Sequence, residues 1–133
     1  EKEALEFYGK NLGLTFQIAD DTLDYNSDLK FFGKKVGKDF LEGKITLPII
    51  LLFQKLNNLE KQKIEGFFKK EIRFESDLSD TLSLIKKYDI INECYKKAEH
   101  FINLASNSLS IFDSSEDKKV LENLTSFSLE RDF

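Results

Sequence analysis

The sequence predicts an all-α fold, and three observations support that prediction. The chain of 133 residues contains one proline and six glycines, so little interrupts regular helices. Hydrophobic residues recur at spacings of three, four and seven over long stretches, which is the period of an amphipathic helix. Hydrophobic residues make up 41% and charged residues 33% of the chain, a balance typical of a globular rather than a disordered protein.

The first predicted helix runs from the start of the chain to about Tyr25. A series at helical spacing predicts its buried face: Leu5, Gly9, Leu12, Phe16, Ala19 and Leu23. Gly9 and Gly13 each weaken a helix by about 1 kcal/mol relative to alanine. Close approach of a neighbouring helix would explain why they are present.

A polar, glycine-bearing connection is predicted for residues 26–43. Thr46 and Pro48 then predict a helix start, because proline is tolerated in the first turn, and the apolar run that follows predicts a deeply buried helix. Further helices are predicted at 59–70, 79–88, 90–111 and 115–128. The predicted helix caps are Asp77, Ser79 and Ser114. The predicted inner stripe of the helix at 90–111 consists of Cys94, Ala98, Phe101, Ala105 and Leu109.

Composition excludes several classes of protein. A net charge of −4 gives no electrostatic reason to expect a nucleic-acid partner. A single cysteine, Cys94, cannot form an internal disulfide, which favours a cytoplasmic location. The longest apolar run, 45–53, falls well short of the roughly 20 residues of a transmembrane segment. Because the chain starts at Glu1 in helical rhythm and contains no methionine, we expect it to be part of a longer protein.

An aspartate cluster lies near the end of the first predicted helix. Asp20, Asp21 and Asp24 fall where the helix dipole disfavours anions by about 0.3–1 kcal/mol each, and repulsion at i, i+4 spacing adds roughly 0.2–0.5 kcal/mol. A bound divalent cation would reverse these effects, and Mg²⁺ is the best match because it prefers carboxylate and phosphate oxygens. A solvated helix end is the alternative. A calcium-binding EF-hand starting at Asp24 is excluded, because Leu29 and Lys35 occupy its sixth and twelfth positions.

A lysine-rich segment follows the aspartates. It is not a nucleotide-binding P-loop, because only three residues separate Gly33 from Gly37 and Asp39 occupies the position of the metal-binding Ser or Thr. Flexible ammonium groups serve as point charges for phosphate, so three lysines could neutralise a diphosphate: Lys34, Lys38 and Lys44. The alternative is a surface loop with exposed ion pairs, each worth about 0–1 kcal/mol.

Two ordered motifs together resemble those of the trans-polyprenyl diphosphate synthases. Residues 8–25 read YGKNLGLTFQIADDTLDY and resemble the second aspartate-rich motif of that family. Residues 33–48 read GKKVGKDFLEGKITLP and resemble its G-K-x-x-G-x-D-L-x-E-G-K-x-T-L-P segment, with Phe40 in place of the usual leucine. The ending around Arg131 is similar to that of long-chain, octaprenyl-type synthases. By resemblance, residues 1–133 form the C-terminal part of a single domain, the C-terminal half of an isoprenoid synthase-type helical bundle.

The resemblance also implies roles for individual residues. Mg²⁺ would be held by Asp20, Asp21 and Asp24. Lys34 and Lys44 would contact the diphosphate of the allylic substrate and stabilise it as it leaves. Phe16 and Gln17 would line the neighbouring pocket, with Gln17 near the reacting end of the allylic chain. Asp39 would orient Lys34.

The implied activity is that of a prenyltransferase in isoprenoid biosynthesis, which extends an allylic diphosphate by condensation with isopentenyl diphosphate. A long-chain product and a homodimer of the complete enzyme are the expectations. The family's first aspartate-rich motif is not among these residues, so we expect the isolated chain to be inactive.

Three alternatives to this function stay open. The first is a non-catalytic partner subunit of a heteromeric prenyl synthase, and an unchanged rate after Asp20 and Asp21 are replaced by asparagine would favour it. The second is a terpene cyclase, against which the lysine-rich segment and its E-G-K-x-T-L-P ending argue. The third is a helical interaction domain without a ligand, which titration with Mg²⁺ and diphosphate would test.

Overall fold

The computed structural model describes residues 1–26 and 36–131, with side chains described as far as residue 125. The described residues form seven α-helices: α1 (Lys2–Leu23), α2 (Lys38–Leu41), α3 (Leu47–Lys55), α4 (Asn58–Lys69), α5 (Glu75–Lys87), α6 (Ile90–Ser108) and α7 (Glu116–Arg131). A 3₁₀ turn, Leu109–Ile111, follows α6. These parts of the chain contain no strand, which confirms the all-α prediction. None of their helices combines the length and apolar character needed to cross a bilayer.

The chain divides into two compact units. The first comprises Glu1–Ala19 and Tyr95–Phe133, and the second comprises Asp20–Cys94. Two helices, α1 and α6, contribute residues to both units. The predicted aspartate cluster and the segment with α2 therefore belong to the second unit.

Helix α1 buries a face that differs in part from the one that hydrophobic spacing predicts. Leu5 is 46% exposed and Gly9 is also exposed, so the predicted stripe is wrong at these positions. Ala19 of the predicted stripe is buried, and the other buried residues of α1 are Tyr8, Asn11, Thr15, Ile18 and Thr22. Polar groups are acceptable there because they are hydrogen-bonded: Thr15 Oγ1 donates to the Asn11 carbonyl at 2.9 Å, and the Tyr8 hydroxyl donates to the Leu121 carbonyl at 2.6 Å.

The glycines inside α1 do not mark a close helix contact. A Cβ atom added at Gly9 or Gly13 would meet nothing within 4 Å. The expectation that a neighbouring helix requires them is therefore wrong for the structure described. The prediction for α6 is mostly confirmed: Cys94, Ala98, Ala105 and Leu109 are buried, and Ile102 occupies the place that Phe101 was expected to take.

The second unit is built around one hydrophobic core. Its members come from the turn after α1, from the segment spanning α2 to α5 and from the start of α6: Tyr25, Phe40, Ile49, Leu52, Leu56, Ile64, Leu78, Ile85, Ile90 and Cys94. Both α2 and α3 pack against α5. Thr46 is the N-cap of α3 and Pro48 lies in its first turn, as predicted. Deep burial of α3 on all sides is wrong, because Ile50 is 46% exposed.

Helix starts follow local capping chemistry. The Asn57 side chain accepts the Glu60 amide and the Glu60 side chain accepts the Asn57 amide, which is a reciprocal capping box for α4. Helix α5 starts at Glu75, earlier than predicted, and Asp77 accepts the Phe74 amide at 3.0 Å from inside the first turn. Ser79 therefore lies within α5 and is not a cap. At α7 the capping oxygen comes from Ser115 rather than Ser114.

Candidate functional site

The aspartate cluster is divided by the end of α1. This helix ends at Leu23, two residues before the predicted boundary. Asp20 is exposed and Asp21 half-buried in the last turns, where α1 has no basic residue. Asp24 lies beyond the helix, in the turn that follows. The three carboxylates therefore do not continue along one helix edge, although the first two remain in the negative end of the helix dipole.

Asp24 is hydrogen-bonded to the beginning of α2. Its Oδ1 accepts the Lys38 amide at 3.1 Å, its Oδ2 accepts the Asp39 amide at 2.9 Å, and its carbonyl accepts the Gly37 amide at 2.6 Å. These amides have no partner inside a helix, because the first N–H groups of any helix lack one. Asp24 thus caps α2 across a sequence separation of 14 to 15 residues.

A backbone hydrogen bond connects Lys44 to α2. The Lys44 amide donates to the Asp39 carbonyl at 2.8 Å. Gly43, just before it, has φ +77°, and a Cβ there would lie 2.5 Å from the Arg73 guanidinium. Arg73 is itself fixed to the end of α4, donating to the Lys70 carbonyl at 2.7 Å. The connection that bears the exposed Lys44 is therefore fixed to α2 by a backbone hydrogen bond, and the Arg73 side chain lies close to Gly43.

Tyr25 is a residue of this site that sequence reasoning missed. Its side chain is 1% exposed, and within the described part of the chain its hydroxyl has no hydrogen-bond partner. Burial raises the pKa of Tyr25, and the negative charges of Asp24, Asp39 and Asp21 raise it further. All three carboxylates therefore favour the protonated form of this buried phenol. The only sequence signal was an aromatic residue directly after the last aspartate.

The described residues contain no group of three acidic, histidine or cysteine side chains arranged to hold a metal ion. The chemistry of the donors still fits Mg²⁺, which is commonly bound by one or two carboxylates together with substrate phosphate oxygens. Asp20 and Asp21 are neighbours at a helix end without a basic residue in its last turn. They are therefore the residues that could hold Mg²⁺ once a diphosphate supplies further oxygens.

The other predicted site residues are placed as follows. Phe16 is half-buried and Gln17 exposed on α1, and both belong to the first unit. Lys38 is exposed at the start of α2. Lys34 lies outside the described residues, and its role stays a prediction.

Replacing Gly37 with alanine is expected to destabilise the second unit. Gly37 has φ +84°, and a Cβ would run into the Leu78 side chain of α5. A non-glycine residue in a sparsely populated backbone conformation costs about 1–3 kcal/mol. Urea denaturation followed by circular dichroism measures the change. The control is Gly9→Ala, which meets no neighbour and is expected to stabilise α1 by up to about 1 kcal/mol. Equal effects of both substitutions would contradict this account.

Comparison with known proteins identifies the family. The family model described as polyprenyl synthetase matches residues 1–85. An all-trans-nonaprenyl-diphosphate synthase (geranyl-diphosphate specific) of Rhodobacter capsulatus is 32% identical over 130 residues, which cover 98% of this chain and 39% of that protein. An octaprenyl diphosphate synthase of Haemophilus influenzae is 29% identical over 133 residues, covering 100% of this chain and 40% of that protein.

A solved structure has a similar fold. A polyprenyl synthase from Caulobacter crescentus, complexed with calcium and isoprenyl diphosphate, matches with a TM-score of 0.84 and 34% identity. The match covers 98% of this chain and 40% of that one. The chain thus spans about 40% of the length of the relatives it matches. Because the family model matches more than half of the chain and the fold agrees, the chain belongs to the polyprenyl synthetase family.

Proposed function

We propose that the chain is the part of a polyprenyl diphosphate synthase that binds the diphosphate of the allylic substrate through Mg²⁺ and lysine side chains. The observation that carries the proposal is the attachment of α2 to the end of α1 by Asp24. That attachment ties the backbone leading to Lys44 to the helix end that bears Asp20 and Asp21. The relative from Caulobacter crescentus, whose structure contains calcium and isoprenyl diphosphate, supports a site of this chemistry.

The proposed roles follow from charge. Asp20 and Asp21 would hold Mg²⁺ at the negative end of α1. When bound, Mg²⁺ supplies positive charge that stabilises the leaving diphosphate as the allylic carbon–oxygen bond breaks. Lys44, and Lys34 by resemblance, would contribute ammonium groups to the same diphosphate. Gln17 and Phe16 would lie toward the allylic chain, as the family resemblance implies.

The reaction of the whole enzyme is chain elongation. Ionisation of the allylic diphosphate leaves a carbocation, the double bond of isopentenyl diphosphate attacks it, and loss of a proton gives a product one isoprene unit longer. A long-chain product, a homodimer and a cytoplasmic location remain parts of this proposal. Because the first aspartate-rich motif is not among its residues, we expect the 133-residue chain alone not to turn over both substrates.

Calorimetric titration tests the proposed binding. The 133-residue chain is titrated with inorganic pyrophosphate, with Mg²⁺ present and again after removal of Mg²⁺ by a chelator. We expect pyrophosphate to bind in the presence of Mg²⁺ and to lose most of its affinity without it. No binding under either condition, or binding that does not depend on Mg²⁺, would contradict the proposal.

This titration does not distinguish a catalytic chain from a non-catalytic partner subunit. A non-catalytic partner subunit could retain a diphosphate site without using it. In the complete protein, replacement of Asp20 and Asp21 by asparagine would leave the rate unchanged for such a subunit. We expect the rate to fall instead.

A further inference from the structure

The Asp24 carboxylate contacts the backbone at the start of α2. The sequence places it third in an acidic motif and so predicts a metal ligand. In the structure both of its carboxylate oxygens accept backbone N–H groups at the start of α2, at 3.1 and 2.9 Å. Asp20 and Asp21 lie within α1, whereas Asp24 follows its end. The carboxylate of Asp24 is thus arranged as a cap of α2.

Helix α2 needs such an anchor because it is very short. It has four residues, and isolated helices of fewer than about 12 residues are marginal in water. Its N-cap residue, Gly37, supplies no side-chain hydrogen bond. The structure provides two tertiary anchors in its place: Asp24 at the first amides and the fully buried Phe40 on the core side.

The position of Lys44 depends on this anchor through two successive hydrogen bonds. Asp24 accepts the Asp39 amide, and the Asp39 carbonyl accepts the Lys44 amide at 2.8 Å. A change at Asp24 would therefore reach Lys44 without any contact between the two side chains.

We propose that Asp24 is a positioning residue, which docks α2 on the end of α1 and thereby sets the position of Lys44, and that it is not a ligand of the metal ion. The effect on Lys44 rests on the proposed function, since it concerns the diphosphate that Lys44 would bind. The docking itself rests on the hydrogen bonds of Asp24 alone. The two can therefore be tested separately.

The test compares Asp24→Ala, Asp24→Asn and Asp20→Asn in the 133-residue chain. NMR is used to measure the hydrogen-exchange rates of the Lys38 and Asp39 amides. We expect about tenfold faster exchange or more in Asp24→Ala, because hydrogen bonds to a charged acceptor are lost. Asp24→Asn keeps one acceptor oxygen and should fall in between, and Asp20→Asn should leave these amides unchanged.

Metal and pyrophosphate binding provide the second measurement. With Mn²⁺ as a paramagnetic probe and pyrophosphate present, we expect Asp24→Ala to bind as many Mn²⁺ ions as the unmodified chain and Asp20→Asn to bind fewer. The affinity for pyrophosphate should fall in Asp24→Ala and be partly restored in Asp24→Asn. Circular dichroism checks the fold of each variant, and Asp24→Asn carries the comparison if the alanine variant unfolds.

Two results would overturn the proposal. One is unchanged exchange of both amides in the Asp24 variants. The other is loss of Mn²⁺ in both Asp24 variants to the same extent as in Asp20→Asn, which would make Asp24 a ligand. If the unmodified chain binds neither Mn²⁺ nor pyrophosphate, the proposed function fails, while the exchange rates still decide whether Asp24 docks α2.

Discussion

Replacement of Phe40 by alanine is expected to lower the free energy of unfolding by about 3–5 kcal/mol, the range for large-to-small changes at buried aromatic residues. The Phe40 ring is 0% exposed and meets the α4 rings of Phe67 and Phe68 edge-on, with centroid distances of 6.1 and 5.3 Å. Such aromatic pairs contribute about 0.5–1.5 kcal/mol each beyond the area they bury. Urea denaturation monitored by circular dichroism gives the loss directly.

Two controls make this measurement specific. Phe7→Ala removes the same ring from a position that is 45% exposed on α1, and a change within about 0.5 kcal/mol is expected. Phe40→Leu introduces the leucine that is usual at this position of the family motif. It should lower the free energy of unfolding less than Phe40→Ala does, because most of the side-chain volume is kept. If Phe40→Ala cost no more than Phe7→Ala, α2 would not be docked in the core as described.

Sequence periodicity predicted most of the helices because their stability depends on one buried stripe. Helix α6 is the clearest case, since four of the five residues predicted for its inner stripe are buried. The start of α3 was also predicted correctly from Pro48, whose missing N–H suits a first turn. Both features are local, and local rules suffice for them.

The face of α1 could not be predicted from hydrophobic spacing. Its buried side includes Asn11 and Thr15, whose side chains donate to backbone carbonyls of the same helix. A pattern of apolar residues does not detect polar groups that become buried once they are hydrogen-bonded. Leu5 was therefore predicted to be buried and is exposed.

The candidate site shows a second limit of sequence reasoning. Three aspartates within five positions look equivalent in the sequence, but α1 ends at Leu23, and Asp24, which lies beyond that end, accepts two amides of α2. Helix α2 itself was missed because four residues following a glycine give almost no periodic signal. Helix α2 is stabilised by hydrogen bonds to Asp24 and by the burial of Phe40 in the core. Both are tertiary contacts with residues distant in sequence, which local patterns do not predict.

Replacement of Asp20 by asparagine is expected to weaken Mg²⁺-dependent pyrophosphate binding by roughly 10- to 100-fold, because a contact to a charged group is worth about 1.5–3 kcal/mol. Asp20 is exposed at the end of α1, where no basic residue in the last turn offsets its charge. The end of α1 also carries the negative partial charge of the helix dipole, so this position suits a cation. The affinity is measured by calorimetry of the 133-residue chain at fixed Mg²⁺ concentration.

The matched control is Asp113→Asn, which removes one negative charge at an exposed position outside the helices. A general charge effect would change binding equally in both variants and would decline with salt, since exposed charges are screened beyond about 10 Å at 0.1 M ionic strength. We expect Asp113→Asn to leave the affinity almost unchanged.

The contribution of positive charge is tested in the same way, by comparing the pyrophosphate affinity of Lys44→Ala with that of Lys119→Ala, a change at an exposed position of α7. Only a loss confined to Asp20 and Lys44 places metal and diphosphate together at the end of α1, because two residues of opposite charge are then required for the same ligand.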